Sequence, residues 1–203
     1  LEKITRSLKD LAIDIVLIGS EFDLAFFARH REVLERDTGA RIVVSPAETI
    51  AMANDKWLTH KFLADNGLPC PETGLPETVE DAVSKITGWG YPAMLKPRAG
   101  TSSRHVHVIE SEDRLRQVYP TVPAPIVQQL LDTPSRALKN EYTATVFKTR
   151  GGGVLGPFIA RRALKGGDSW NLEIAAFPEI HPLLHKIAAR LPAMGTLNVQ
   201  LVL

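Results

Sequence analysis

The spacing of apolar positions changes several times along the chain, and each change marks an element. Residues 2–11 alternate charged and apolar positions and predict the end of an amphipathic helix. Residues 13–18 predict a short buried strand that stops at Gly19-Ser20, a strand entering a loop. Over residues 22–36, Phe26, Phe27, Val33 and Leu34 recur seven apart, the repeat of one helical face. Gly39 then ends the helix, and residues 41–44 predict a second strand. Helix, strand, helix, strand argues for a small parallel sheet, about half of a doubly wound unit. The Gly-x-Gly-x-x-Gly fingerprint is missing, which excludes an ordinary dinucleotide site.

Pro46 breaks that unit. A fresh helix is expected to start with Asn54 or Asp55 as N-cap, to carry Leu58 and Phe62 on one face, and to stop at Gly67 ahead of Pro69. Residues 76–87 and 111–119 predict further helices, and residues 91–97, 105–109 and 126–131 predict strands, the first ending in lysine and proline. Alternation over residues 141–148 puts Glu141, Thr143, Thr145 and Phe147 on one face. Gly151-Gly152-Gly153 is a hairpin turn that returns the chain through residues 154–163. A last helix over residues 178–191 aligns Ile180, Leu183, Leu184, Ile187 and Leu191, and residues 196–203 start a strand.

Composition narrows the classes. A chain of 203 residues with 44% hydrophobic side chains can bury a real core. Twenty-four basic side chains nearly balance 23 acidic ones, so no global field would recruit nucleic acid or an anionic membrane. Any electrostatic function must be local. Cys70 is the single cysteine, which excludes an internal disulfide, and no apolar run is long enough to cross a bilayer. A cytoplasmic location is expected. Because the chain begins without methionine and in mid-helix, we expect a fragment of a longer protein.

Candidate chemistry begins at Lys96, which ends an apolar strand just before Ala99-Gly100-Thr101-Ser102-Ser103, a run of small and hydroxylated residues able to present backbone amides to an anion. Lys96, Arg98 and Arg104 meet no acidic residue between positions 91 and 108, so this stretch suits a polyphosphate. A second basic stretch holds Arg136, Lys139, Lys148, Arg150, Arg161, Arg162 and Lys165 with Glu141 as its one carboxylate, an imbalance that argues for anion binding. Glu141 would stay ionised there, either accepting two ribose hydroxyls or serving a structural ion pair. His181 and His185 stand one helical turn apart without a third ligand nearby. Ser20 lacks a nucleophile elbow, and Trp57, Trp89 and Trp170 are too dispersed to stack nucleic acid.

Taken in order, these segments resemble the ATP-grasp superfamily, especially the branch near the large subunit of carbamoyl-phosphate synthase. The resemblance runs from Asn54-Asp55-Lys56 and Phe62-Leu63-Ala64-Asp65-Asn66-Gly67-Leu68-Pro69-Cys70-Pro71, through Tyr91-Pro92-Ala93-Met94-Leu95-Lys96-Pro97, to Ile126-Val127-Gln128-Gln129-Leu130-Leu131, Glu141-Tyr142-Thr143 and Leu197-Asn198-Val199-Gln200. It implies an α/β chain with an ATP-grasp fold, its α+β lobes clasping a nucleotide. Residues 1–53 would be part of a Rossmann-like unit preceding the ATP-grasp domain, and residues 54–203 that domain. It also implies that Lys56 and Lys96 contact the ATP phosphates, that Gly100, Thr101, Ser102 and Ser103 form the loop over them, and that Gln128, Gln129 and Leu131 belong to the adenine hinge. Glu141 would bind the ribose, Arg161, Arg162 and Lys165 would approach the terminal phosphate and the acyl substrate, and Gln200 would begin a Mg2+ site.

Arg104-His105 departs from the usual lysine and glycine, Gln129 replaces a common glutamate, and the connection over residues 132–140 is long. The chain also ends before the Glu-x-Asn pair of the family's metal site, so the fragment is expected to be incomplete. The implied activity is ATP- and magnesium-dependent activation of a carboxylate or bicarbonate as an acylphosphate, which an amine or ammonia then attacks. The alternative is a non-catalytic nucleotide-binding or regulatory module on the same fold. Partners would be these small molecules, and the sequence leaves the oligomeric state open.

Overall fold

The computed structural model describes residues 1–100, 104–131, 138–165 and 168–203. By its contacts the chain divides into two compact units, one made of Leu1–Ala51, Ala144–Phe158 and Phe177–Val199, the other of Met52–Thr143, Ile159–Ala176 and Gln200–Leu203.

In the first unit, α1 (Glu2–Asp10), β1 (Ile15–Leu17), α2 (Glu21–Thr38) and β2 (Arg41–Val43) follow the predicted order, and β1 pairs with β2 in parallel. The limits of α2 have local causes. Ser20 Oγ accepts a hydrogen bond from Phe22 N, Glu21 and Asp23 put negative charge at the positive end of the helix, and Gly39 closes it at φ 77°. Leu34, Ala40, Ile42 and Val44 are buried, with Phe27 and Val16 packed on them. The predicted helix over residues 178–191 is α7 (His181–Arg190). Lys148 Nζ donates to the carbonyls of Ala188 and Leu191, both at 2.6 Å, which offsets the negative end of that helix. Gly195 takes φ 84°, and a Cβ there would lie 2.8 Å from Val43 Cγ1, so this position requires glycine.

The second unit contains α4 (Lys56–Asp65), β3 (Thr73–Gly74), α5 (Val79–Trp89), β4 (Ala93–Pro97), β5 (His107–Ile109), α6 (Glu112–Val118) and β6 (Pro125–Gln129). Its strands form an antiparallel sheet in the order β3-β6-β4-β5. Ala93 and Leu95 of β4 turn toward a core completed by Ala82, Ile86, Ile109, Leu115 and Val127. Strand alternation then sends Met94 and Lys96 to the other face, together with Ile126, Gln128 and Thr73 by register. That face carries the candidate site.

A second sheet has the order β10-β7-β8-β9, from β7 (Glu141–Lys148), β8 (Val154–Lys165), β9 (Asp168–Ile174) and β10 (Gly195–Val202). Three elements escape the sequence reading: β3, β9, and α3 (Ala47–Ala53). Pro46 ends the preceding segment but also opens α3, its carbonyl accepting from Ile50 N at 3.0 Å. The strand expected from residue 105 begins at His107 because His105 adopts φ 54°. The strand expected to reach residue 131 ends at Gln129. Among the described residues, no helix is long and apolar enough to cross a membrane.

Candidate functional site

Asp55 organises the site from below. Its Oδ1 accepts from Trp57 N and Leu58 N at 3.0 Å each, capping α4, while Oδ2 binds Arg98 at 2.7 Å. The backbone repeats that link, with Lys56 N donating to Arg98 O at 3.0 Å. The start of α4 is thereby fixed to the segment after β4, and Lys56 Nζ reaches Gly100 O at 2.9 Å.

The bond to Arg98 holds the Asp55 carboxyl below its ordinary range. A depressed carboxylate stabilises the fold above its unfolded pKa, and that contribution is lost as pH falls through the lower folded value. We therefore expect Asp55→Ala to cost about 1 kcal/mol at neutral pH. In urea unfolding, its gap from the parent should narrow as pH falls below the ordinary carboxylate range. A gap independent of pH would contradict the role given to the charge.

Lys96 stands at the centre of that face. It is partly buried, and its Nζ donates to the neutral Gln128 Oε1 at 2.6 Å. Lost hydration, reinforced by the charge of Lys56, brings its pKa down to about 8. Burial also lowers Lys56, against an opposing pull from Asp55. Two lysines that raise one another's electrostatic cost, one held by a carboxamide, make a place where bound anionic oxygens would relieve the strain.

The structure brings Lys56, Lys96, Gly100 and Gln128 together. Thr101, Ser102 and Ser103, expected beside them, lie outside the described residues. Gln129 turns away: its backbone N donates to Glu72 O at 2.8 Å, and its side chain accepts from Glu72 N at 3.4 Å. Leu131 is exposed beyond the end of β6.

The second basic stretch is not one patch. Lys148 caps α7, Arg150 pairs with Glu35 at 3.1 Å, Arg161 pairs with Glu173, and Arg162 binds Glu141 Oε1 at 2.7 and 3.1 Å. Lys165 Nζ lies 3.9 Å from the centre of the Trp170 ring. Arg136 lies outside the described residues. The charge imbalance along the sequence dissolves because Glu35 and Glu173 arrive from outside the window. Alternation along β8 sends Arg161 and Arg162 to opposite faces, and Glu141 is held by the buried Arg162.

Gln200 is exposed on β10, three residues before Leu203, whose N donates to Asn140 O at 3.0 Å beside the start of β7. No group of three or more His, Cys, Asp or Glu able to hold a metal occurs among the described residues. Those residues do not make a protein cage for magnesium, which wants several hard oxygen ligands. They do suit a polyphosphate, through Lys56 and Lys96. Of two surface depressions, one of about 390 Å³ lies beside Arg6 and Asp37, and one of about 360 Å³ beside Arg41 and Phe147 is lined also by Lys148 and Arg150 of the basic stretch; neither contains Lys56, Lys96 or Gln128.

Comparison with known proteins bears on the fold. Residues 53–140 match the family model described as ATP-grasp domain. The carbamoyl phosphate synthase large chain of Campylobacter jejuni is 32% identical over 78 residues, 38% of this chain and 7% of its own length. That of Thermus thermophilus is 23% identical over 176 residues, 81% of this chain and 17% of its own. The chain thus spans less than a fifth of these relatives. Among solved structures, a complex of Campylobacter jejuni biotin carboxylase with β-γ-ATP superposes with a TM-score of 0.78 at 17% identity, over 98% of this chain and 48% of the other. Staphylococcus aureus N5-carboxyaminoimidazole synthetase with ADP gives 0.76 at 17% identity, over 100% of this chain and 53% of the other. The chain has an ATP-grasp fold, and its sequence resembles the branch of that superfamily that holds the carbamoyl-phosphate synthase large chain.

Proposed function

We propose that this chain binds ATP across Lys56, Lys96 and the segment after β6, and supplies the nucleotide-binding part of a ligase joining a carboxylate to an amine. The observation that carries the proposal is Lys96, a partly buried ammonium that rests on a neutral amide and faces a second lysine. Residues 54–203 would be the nucleotide-binding domain. Neighbours of the same fold were solved with β-γ-ATP and with ADP, which supports the choice of ligand.

When bound, ATP supplies the phosphoryl group that activates a carboxylate or bicarbonate toward ammonia or an amine. The residues of this chain position and neutralise. Lys56 and Lys96 would hold phosphate oxygens and balance charge as it grows on them. Gln128 sets where the Lys96 ammonium sits, and the segment of Gln129 and Leu131 would border the base. Arg162, through its two hydrogen bonds to Glu141, would hold that carboxylate oriented for the ribose hydroxyls. Arg161 and Lys165 are proposed to meet the acylphosphate. Magnesium, for which the described residues form no cage, would be carried largely by the phosphates, with Gln200 offering one amide oxygen.

ADP release, measured with ATP, magnesium and a panel of carboxylates with and without ammonia, tests the ligase reading. Release that depends on one carboxylate supports it. Tight nucleotide binding with no release for any carboxylate, in a chain long enough to carry the Glu-x-Asn pair, would favour the non-catalytic module.

A further inference from the structure

The cation at the centre of the site is oriented by a directional chain of neutral hydrogen bonds. Thr73 is directly opposite Gln128 in the β3–β6 register, and Lys96 lies diagonally across on β4, whose partner there is Ile126. The Thr73 hydroxyl donates to Pro71 O at 3.0 Å. Its lone pair then accepts from Gln128 Nε2 at 2.8 Å, and Gln128 Oε1 accepts from Lys96 Nζ at 2.6 Å. With its one proton committed to Pro71, the Thr73 oxygen can only accept from Gln128, so the carboxamide has one usable orientation. Turned over, it would present its NH2 group to an ammonium, donor against donor.

We propose that Thr73, which is buried, is a positioning residue for nucleotide binding: it holds Gln128 with its carbonyl oxygen toward Lys96 and so keeps the ammonium where phosphate oxygens are received. This rests on the assignment of Lys96 to the nucleotide site. Among the described residues of α4 and this sheet, no other side chain supplies that orientation. From α4 comes the like charge of Lys56, from β6 and β3 only neutral side chains share the face, and His107 of β5 pairs with Leu95 and so faces the other way. A carboxylate in place of Gln128 would have no wrong way round, so the need for Thr73 belongs to the amide.

The test uses the full chain with ADP as probe. Calorimetry between about pH 6.5 and 9.5 gives the affinity, and the 13Cε shift of Lys96 gives its titration without nucleotide. Thr73→Val should weaken ADP binding about tenfold at neutral pH, the scale of one charge-assisted hydrogen bond, and move the Lys96 titration to lower pH. Thr73→Ser should restore both. In a Gln128→Glu background, Thr73→Val should change affinity less than about twofold, since either carboxylate oxygen can accept. Parent-like affinity and titration in Thr73→Val would overturn the proposal, as would an equal loss in both backgrounds, which marks a merely structural threonine. Should Thr73→Val not fold, Gln128→Leu takes its place: an unmoved Lys96 titration there contradicts the relay. Failure of the parent chain to bind ADP would sink the nucleotide reading, while the nucleotide-free titration still decides the relay.

Discussion

Lys96→Met is expected to weaken ADP binding by about 1.5 to 3 kcal/mol, roughly 10- to 150-fold in dissociation constant, because it removes a charge-assisted contact and leaves an apolar chain of similar length. The fold should survive the change, since the ammonium is held at a cost in lost hydration and in repulsion from Lys56. The pH dependence fixes the sign. Only protonated Lys96 attracts phosphate, so ADP affinity in the parent chain should fall as pH rises through about 8, the pKa of that residue. In Lys96→Met that fall should flatten. Calorimetry at matched ionic strength checks both, and an unchanged affinity in the variant would remove Lys96 from the site.

The second large effect is on stability. Only 9% of the Arg162 side chain is exposed, and its guanidinium binds Glu141, 28% exposed, through Nε and Nη2. Glu141→Ala would leave a buried cation without its partner, and breaking such a pair costs about 3 kcal/mol. Replacing both members, Glu141→Leu with Arg162→Met, should cost less than the single change, because no charge is then stranded. Urea denaturation of the three variants makes the comparison. A single variant as stable as the parent would show that the pair does not hold the sheet. This outcome also bears on the proposed function, because a glutamate already bound by arginine would meet the ribose in a fixed orientation.

Much of this could be read from the chain. The α4 cap at Asp55, the strand that ends at Lys96 and the alternation over residues 141–148 are local facts: a capping carboxylate, a burial period of two, and a glycine-rich turn each act over a few residues. What escaped depends on partners far along the chain. Arg98 is 43 positions from Asp55, Glu35 is 115 from Arg150, and no window of sequence reveals either pairing. The basic stretch after residue 135 is divided partly for that reason, since Glu35 reaches Arg150 from far outside it. Strand β9 did carry a signal, since Trp170, Leu172 and Ile174 alternate with polar residues. Thr73 gave no sign at all. A two-residue strand has no period, and its importance comes from sitting opposite Gln128 in a register that only the folded sheet defines.

Nucleotide is proposed to bind on the Lys96 face of the β3-β6-β4-β5 sheet. Hydrogen exchange of the intact chain, followed by mass spectrometry with and without saturating ADP, tests it most directly. With nucleotide bound there, slower exchange is expected at the start of α4, over residues 93–100 and over residues 125–131, with little change over residues 1–44. Protection confined to residues 1–44 or to α7, with residues 93–100 and 125–131 unchanged, would contradict it.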